Sequence, residues 1–144
     1  MLMSRATRLA IEVLADLPHQ GWITAEELAR GNTGGHAFLQ QILNRLVREG
    51  IARSKKGRGG GYQFARNPKT LTLKAVIDSI DGRDMERCML DSTPCDGRRR
   101  CRLEPMWHPI RDHLVSFLEA VTIQSIAERS CGAVDRFELS ELDG

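Results

Sequence analysis

The stretch Lys55-Lys-Gly-Arg-Gly-Gly-Gly61 leaves this chain few options. Its glycines permit positive φ and close approach of another backbone. Residues 51–54 and 62–65 on either side read as short strands. The expected unit is a β-hairpin with a basic tip formed by Lys55, Lys56 and Arg58. Such a tip can reach phosphates or enter a minor groove. A nucleotide-cradling loop is set aside. The run lacks the Lys-Ser/Thr that ends a P-loop, and no strand-to-helix context surrounds it.

Upstream, the apolar residues recur at helical spacing. Leu9, Val13 and Leu17, with Ala6, Ala10 and Leu14, predict an amphipathic helix over 4–17, capped by Ser4 and closed by Pro18. Thr24 and Glu27 form a capping-box pattern at the head of a short second helix, 25–30. Gly31-Asn-Thr-Gly-Gly35 is a turn by composition. A third helix is expected over 36–49, stopped by Gly50. Leu39, Ile42, Leu43, Leu46 and Val47 make its apolar face. His36, Gln40, Gln41, Asn44, Arg45 and Arg48 make its polar face. Two helices joined by a Gly-bearing turn, the second polar and basic outside, are the pattern of a helix-turn-helix. With the hairpin added, the expected fold is mainly α (α+β), a winged helix-turn-helix. A fourth helix follows from Leu71 or Thr72, with Leu73, Val76, Ile77 and Ile80 inward, and Asp81-Gly82 ends it.

Charge agrees with that unit. The net charge is only +2, so its distribution is the informative part. Residues 45–69 carry eight Lys or Arg against one acid, Glu49, whereas residues 132–144 carry four acids and one Arg. A basic patch in a near-neutral chain is the footprint of an anionic partner, with a solvated loop as the alternative; beside a winged helix-turn-helix the expected partner is double-stranded DNA. There is no signal-peptide pattern near Met1 and no apolar stretch near the ~20 residues a membrane span needs. The expectation is a cytoplasmic protein with no membrane partner. The sequence has no Ser-His-Asp pattern, no paired carboxylates in a glycine-rich cleft and no Walker motif, so it reads as a binding protein, not an enzyme.

Cys88, Cys95 and Cys101 are spaced C-x6-C-x5-C in a loop-like run with Pro94 and Gly97. In a reducing compartment, clustered cysteines more often bind metal or sense redox state than form structural disulfides. Three thiolates can converge on a soft metal centre. Zinc and a metal-free thiol–disulfide switch are the alternatives; zinc sites usually show a short C-x2–4-C pair, which this run lacks. Cys131 stands apart and reads as a bystander thiol. Beyond the cysteines, Leu103, Trp107, Ile110, Leu114, Phe117, Leu118, Val121 and Ile126 recur at three- and four-residue steps. They predict one long helix starting near Pro105 or Pro109, with Asp112, His113, Glu119 and Glu128 towards solvent. Little of the chain is left to cover that stripe, so a second copy is expected on it, giving a two-fold homodimer. The expected organisation is a DNA-binding unit over 1–82, a cysteine loop over 83–104, a dimerisation helix over 105–130 and a tail over 131–144.

Taken together, Leu39-Gln-Gln-Ile-Leu-Asn-Arg-Leu46, Gly50, Lys56-Gly-Arg-Gly-Gly-Gly-Tyr62, the triple cysteine and Trp107 before a long helix resemble the iron–sulfur cluster regulator and nitric-oxide-sensitive repressor family (IscR, NsrR). The resemblance runs over roughly residues 3 to 130. It implies a homodimeric bacterial transcription regulator with the third helix in the major groove and the wing in the minor groove. It implies a 2Fe–2S or 4Fe–4S cluster on Cys88, Cys95 and Cys101, whose loss, oxidation or nitrosylation changes DNA binding. It implies that His36, Ala37, Gln40 and Gln41 face base edges and that Lys56 and Arg58 are wing contacts. Gln40 and Gln41 have the chemistry to pair with adenine N6 and N7. Arg87, Arg98, Arg99, Arg100 and Arg102 would offset the negative charge of a cluster.

The chain also departs from that family. The 2Fe–2S branch has a histidine three residues after the last cysteine, where this chain has Glu104. The nitric-oxide branch takes an aspartate from the start of the partner's first helix, where this chain has Arg8. The first cysteine gap is one residue longer than the usual C-x5-C, and Gln40 replaces an acid of the 2Fe–2S branch. The candidate fourth ligands are Glu104, which holds the family's ligand position, His108, Glu12 of the partner subunit, or a small molecule. Carboxylate on iron is a harder, more exchangeable ligand than thiolate.

Overall fold

A computed structural model describes residues 3–32, 34–82 and 101–129 of the 144-residue chain. The described residues form helices α1 (Arg5–Asp16), α2 (Ala25–Gly31) and α3 (His36–Arg48), strands β1 (Ala52–Lys55) and β2 (Gly61–Phe64), then helices α4 (Leu73–Asp81), α5 (Glu104–Ala120) and α6 (Ile123–Ala127). The expected winged helix-turn-helix is the fold observed.

Local chemistry sets most of the boundaries. The Ser4 hydroxyl accepts from the Thr7 amide at 3.1 Å and caps α1. Thr24 and Glu27 close a reciprocal capping box on α2. The Thr24 backbone N–H, and then its hydroxyl, hold the Glu27 carboxyl below its ordinary value. Thr72 caps α4 through the Ala75 amide, and Gly82 ends it at φ +59, in the left-handed region. Such caps satisfy backbone N–H groups that helix ends leave unpaired.

The core lies between α1, α2, α3, the hairpin, α4 and α6. Leu14, Leu39, Leu43, Leu46 and Ile51 are fully buried there. Strands β1 and β2 pair antiparallel, with Ala52 opposite Phe64 and Lys55 opposite Gly61. Ile23 adds a single bridge on the outer edge, exchanging backbone bonds of 3.1 and 2.7 Å with Tyr62.

The C-terminal helix departs from the one expected. It starts at Glu104 with Pro105 in its first turn, runs through Pro109 and stops at Ala120. Thr122 restarts the chain as α6 with its own capping box. The break has a tertiary cause. Leu73 donates to the Val121 carbonyl at 2.8 Å and Ile123 donates to the Leu71 carbonyl at 2.9 Å. A straight helix would use those groups internally. Instead the chain turns back, and Ile123 is fully buried in the main core. Leu118 packs on Leu73 and Ile77 of α4, with Leu114, Val121 and Ile126 beside them. Part of the stripe expected to await a second copy is therefore covered by the chain itself. Asp112, His113, Glu119 and Glu128 are exposed, as expected.

Candidate nucleic-acid interface and cysteine site

Helix α3 is preceded by Gly35, which provides no side-chain cap. Its apolar face is buried, and this fixes which way the opposite face points. His36, Ala37, Gln41, Asn44 and Arg48 are exposed, and Gln40 is half-buried. The expected arrangement fails at one residue. Arg45 does not join the outer face: it is half-buried, and its guanidinium donates to the Ser79 carbonyl of α4 at 3.2 Å.

Lys55, Lys56 and Arg58 are exposed along the hairpin and its tip. The turn depends on glycine in two different ways. Gly57 (φ +89) and Gly59 (φ +70) sit in the left-handed region with open space around them. Gly60 and Gly61 are also packed against backbone. A Cβ at Gly60 would fall within 3.0 Å of the Lys55 and Gly57 carbonyls, and one at Gly61 within that distance of the Ile23 carbonyl.

Two further features were not legible along the chain. Trp22 lies under two cations, with Arg53 at 5.8 Å and Lys55 at 5.9 Å from its ring. Arg53 also donates to Gln63 at 2.6 Å, and the buried Gln63 amide donates to the Gly21 carbonyl at 2.7 Å. Wing, tryptophan and connecting loop are thus tied together. The second feature is the Gln40 amide. It donates to the Tyr62 hydroxyl at 2.7 Å and to Asn44 Oδ1 at 3.2 Å. That bond joins the outer face of α3 to β2. It ties the polar helix face to the return strand of the wing.

Of the cysteine site, Cys88 and Cys95 lie outside the described residues, as do Arg87 and residues 98–100. Cys101 is half-buried just before α5, and its carbonyl accepts from the Glu104 amide at 3.3 Å. Glu104 is half-buried in the first turn, with its carboxylate 3.8 Å from His108 Nε2. Its acidic side chain suits the positive end of the helix dipole. Among the described residues, no three His, Cys, Asp or Glu side chains converge as a metal site. No described helix is long and apolar enough to cross a membrane.

A helix-turn-helix whose second helix carries a basic hairpin is the winged-helix class, built to lay a helix and a wing against a duplex. The family model for Rrf2, described as an iron-dependent transcriptional regulator, matches residues 3–129, and the chain belongs to that family. It is similar to the HTH-type transcriptional regulator IscR of Pectobacterium atrosepticum, 25% identical over 130 residues covering 88% of this chain and 79% of that protein. Among solved structures, it resembles CymR, the global cysteine regulator of B. subtilis, with a TM-score of 0.71 at 21% identity, covering 87% of this chain and 95% of that one. It also resembles T. potens IscR, with a TM-score of 0.64 at 19% identity, covering 90% and 93%. This chain is an IscR-like transcriptional regulator of the Rrf2 family, and DNA is its partner.

Proposed function

We propose that this regulator is a homodimer whose affinity for its operator is set by an iron–sulfur cluster on Cys88, Cys95 and Cys101. Glu104 is the proposed fourth ligand. His36, Ala37, Gln40 and Gln41 are the proposed base-facing residues, and Lys55, Lys56 and Arg58 the phosphate and minor-groove contacts. The observation that supports the DNA side is the Gln40–Tyr62 bond, which fastens the polar face of α3 to the return strand of the wing. On the cluster side, Cys101 and Glu104 offer a soft thiolate and a hard carboxylate one turn apart at the head of α5. That donor set fits iron better than it fits a closed zinc site. When bound, the cluster supplies a redox-reactive iron centre that reports iron supply, oxygen or nitric oxide. The chain's own part is to hold it where α5 begins.

Protein purified without air is expected to be brown, with bands near 330–420 nm (roughly, for cysteine-bound iron) and iron and sulfide in matching amounts. Its affinity for DNA selected from a random duplex pool should change when the cluster is removed. A colourless preparation with stoichiometric zinc, or with thiols that only form disulfides, would favour the alternatives.

Leu103, just before α5, and Met106, Ile110 and Phe117 on it remain exposed, Met106 at 68% and Ile110 at 60%. They recur at steps of three, four and seven, so they share one face of the helix. Apolar exposure of this kind marks an interaction site, and a second copy of α5 is its proposed occupant. Met106→Glu with Ile110→Glu is expected to yield folded monomers by light scattering, since neither side chain is in the core. A dimer that persisted would place the interface elsewhere.

The wing contact has a different signature. Lys56→Ala should weaken binding about equally on all duplexes and reduce the salt slope by about 0.9, the value for one phosphate neutralised. A change in base preference would instead place Lys56 against a base edge.

A further inference from the structure

A glutamine amide offers two N–H donors and one carbonyl acceptor. At Gln40 both donors are already engaged within the protein. Nε2 donates to the Tyr62 hydroxyl at 2.7 Å and to Asn44 Oδ1, one turn along α3, at 3.2 Å. The carbonyl oxygen is then the only amide atom left to meet a base. A free glutamine reads adenine by a bidentate pair, accepting from N6 and donating to N7. The Gln40 amide has no spare proton for N7.

We propose that Tyr62 and Asn44 lock Gln40 as an acceptor-only reader, so that it selects a base carrying an exocyclic amine, adenine or cytosine, over guanine or thymine. In the major groove, adenine N6 and cytosine N4 are the amine donors, while guanine O6 and N7 and thymine O4 are acceptors that would face the Gln40 oxygen without a proton between them. Tyr62 is here a positioning residue: it sets the orientation of Gln40 and touches no base itself. The inference rests on the reading of α3 as the base-facing helix, and goes beyond it by stating which half of the Gln40 amide does the reading. It also replaces the bidentate adenine pairing expected from residue type alone.

The test is selection from a pool of DNA duplexes with a randomised central segment, using the full-length dimer. Gln40→Ala first locates the base pair: one position of the wild-type consensus should lose its preference, by about tenfold for a single groove contact. At that position the wild type should accept adenine and cytosine and disfavour guanine and thymine. Gln40→Glu should keep the amine-bearing bases, because a carboxylate also only accepts, while Tyr62 and Asn44 can turn to donate to it. Tyr62→Phe removes one hydroxyl, frees an amide proton and should narrow the choice to adenine. Thermal melts of each variant show that the fold is retained.

The inference is overturned if the wild type selects adenine alone or a guanine or thymine, if Gln40→Glu changes the preferred base, or if Tyr62→Phe leaves the position as it was. If Gln40→Ala leaves the whole consensus unchanged while overall binding persists, the assignment of Gln40 to the base edges has itself failed. That outcome is distinct from a failure of the lock.

Discussion

Protein carrying Cys88→Ser, Cys95→Ser and Cys101→Ser together is expected to purify colourless and to bind selected DNA with a single affinity, whatever the iron supply or redox state. Serine keeps the size of cysteine and removes the thiolate, which is the group that binds soft metal. The expected loss is the whole difference between loaded and unloaded protein. Coupling between two sites in one protein is typically about 1–3 kcal/mol, or roughly 5- to 150-fold in affinity. A ligand changes DNA binding only through its differential affinity for two conformations, so removing the ligand collapses the two affinities to one.

The described residues provide a physical route for that coupling. Cys101 lies at the head of α5, and Leu118 near the other end of α5 packs on Leu73 and Ile77 of α4. The last turn of α4 accepts from Arg45 of α3 through the Ser79 carbonyl at 3.2 Å. Asp81, in the same turn, accepts from the Ser4 amide at 2.9 Å and from its hydroxyl, at the start of α1. A displacement of α5 would therefore reach α3 through packed and hydrogen-bonded groups. Triple-serine protein whose DNA binding still followed the signal would remove the cysteines from the mechanism.

Gly61→Ala is expected to cost about 2–4 kcal/mol of stability and to detach the wing. Two separate penalties meet at this residue. Its φ of +141 lies in a region that residues with a side chain rarely adopt, and such strain costs of order 1–3 kcal/mol. The new methyl would also collide with the Ile23 carbonyl, the group that accepts from Tyr62 at 2.7 Å. Relief requires breaking the bridge that holds β2 against the loop before α2. The wing would lose its position, so DNA binding should fall together with stability. Gly57→Ala is the control: it too has positive φ, but nothing lies near its Cβ, and only about 1 kcal/mol is expected. Urea midpoints measure both variants. Equal losses would mean that the close approach of residues 23 and 61 contributes nothing.

How much of this could be read along the chain differs from element to element. The caps of α1 and α2 could, because Ser4 and Thr24 act on amides three residues away and leave a local pattern. The inner and outer faces of α3 could, because burial of Leu39, Leu43 and Leu46 dictates where His36 and Gln41 point. The glycine wing could, because a run that demands positive φ has few structural uses. The single long C-terminal helix could not be judged this way. Its apolar spacing carries on across the break, and the Thr122 cap that restarts α6 sits inside that spacing. Periodicity alone puts Arg45 on the outer face, and periodicity cannot weigh the Ser79 carbonyl offered from α4.

The amino-acid order by itself determined the elements of the winged helix-turn-helix, its basic tip and the three spaced thiols, since each rests on residues close together in the chain. The tertiary structure alone decided that α5 ends at Ala120, that Arg45 braces α4, and that Gln40 is held by Tyr62. Those outcomes depend on donors and acceptors from distant segments meeting at hydrogen-bond distance, and no local spacing encodes such a meeting.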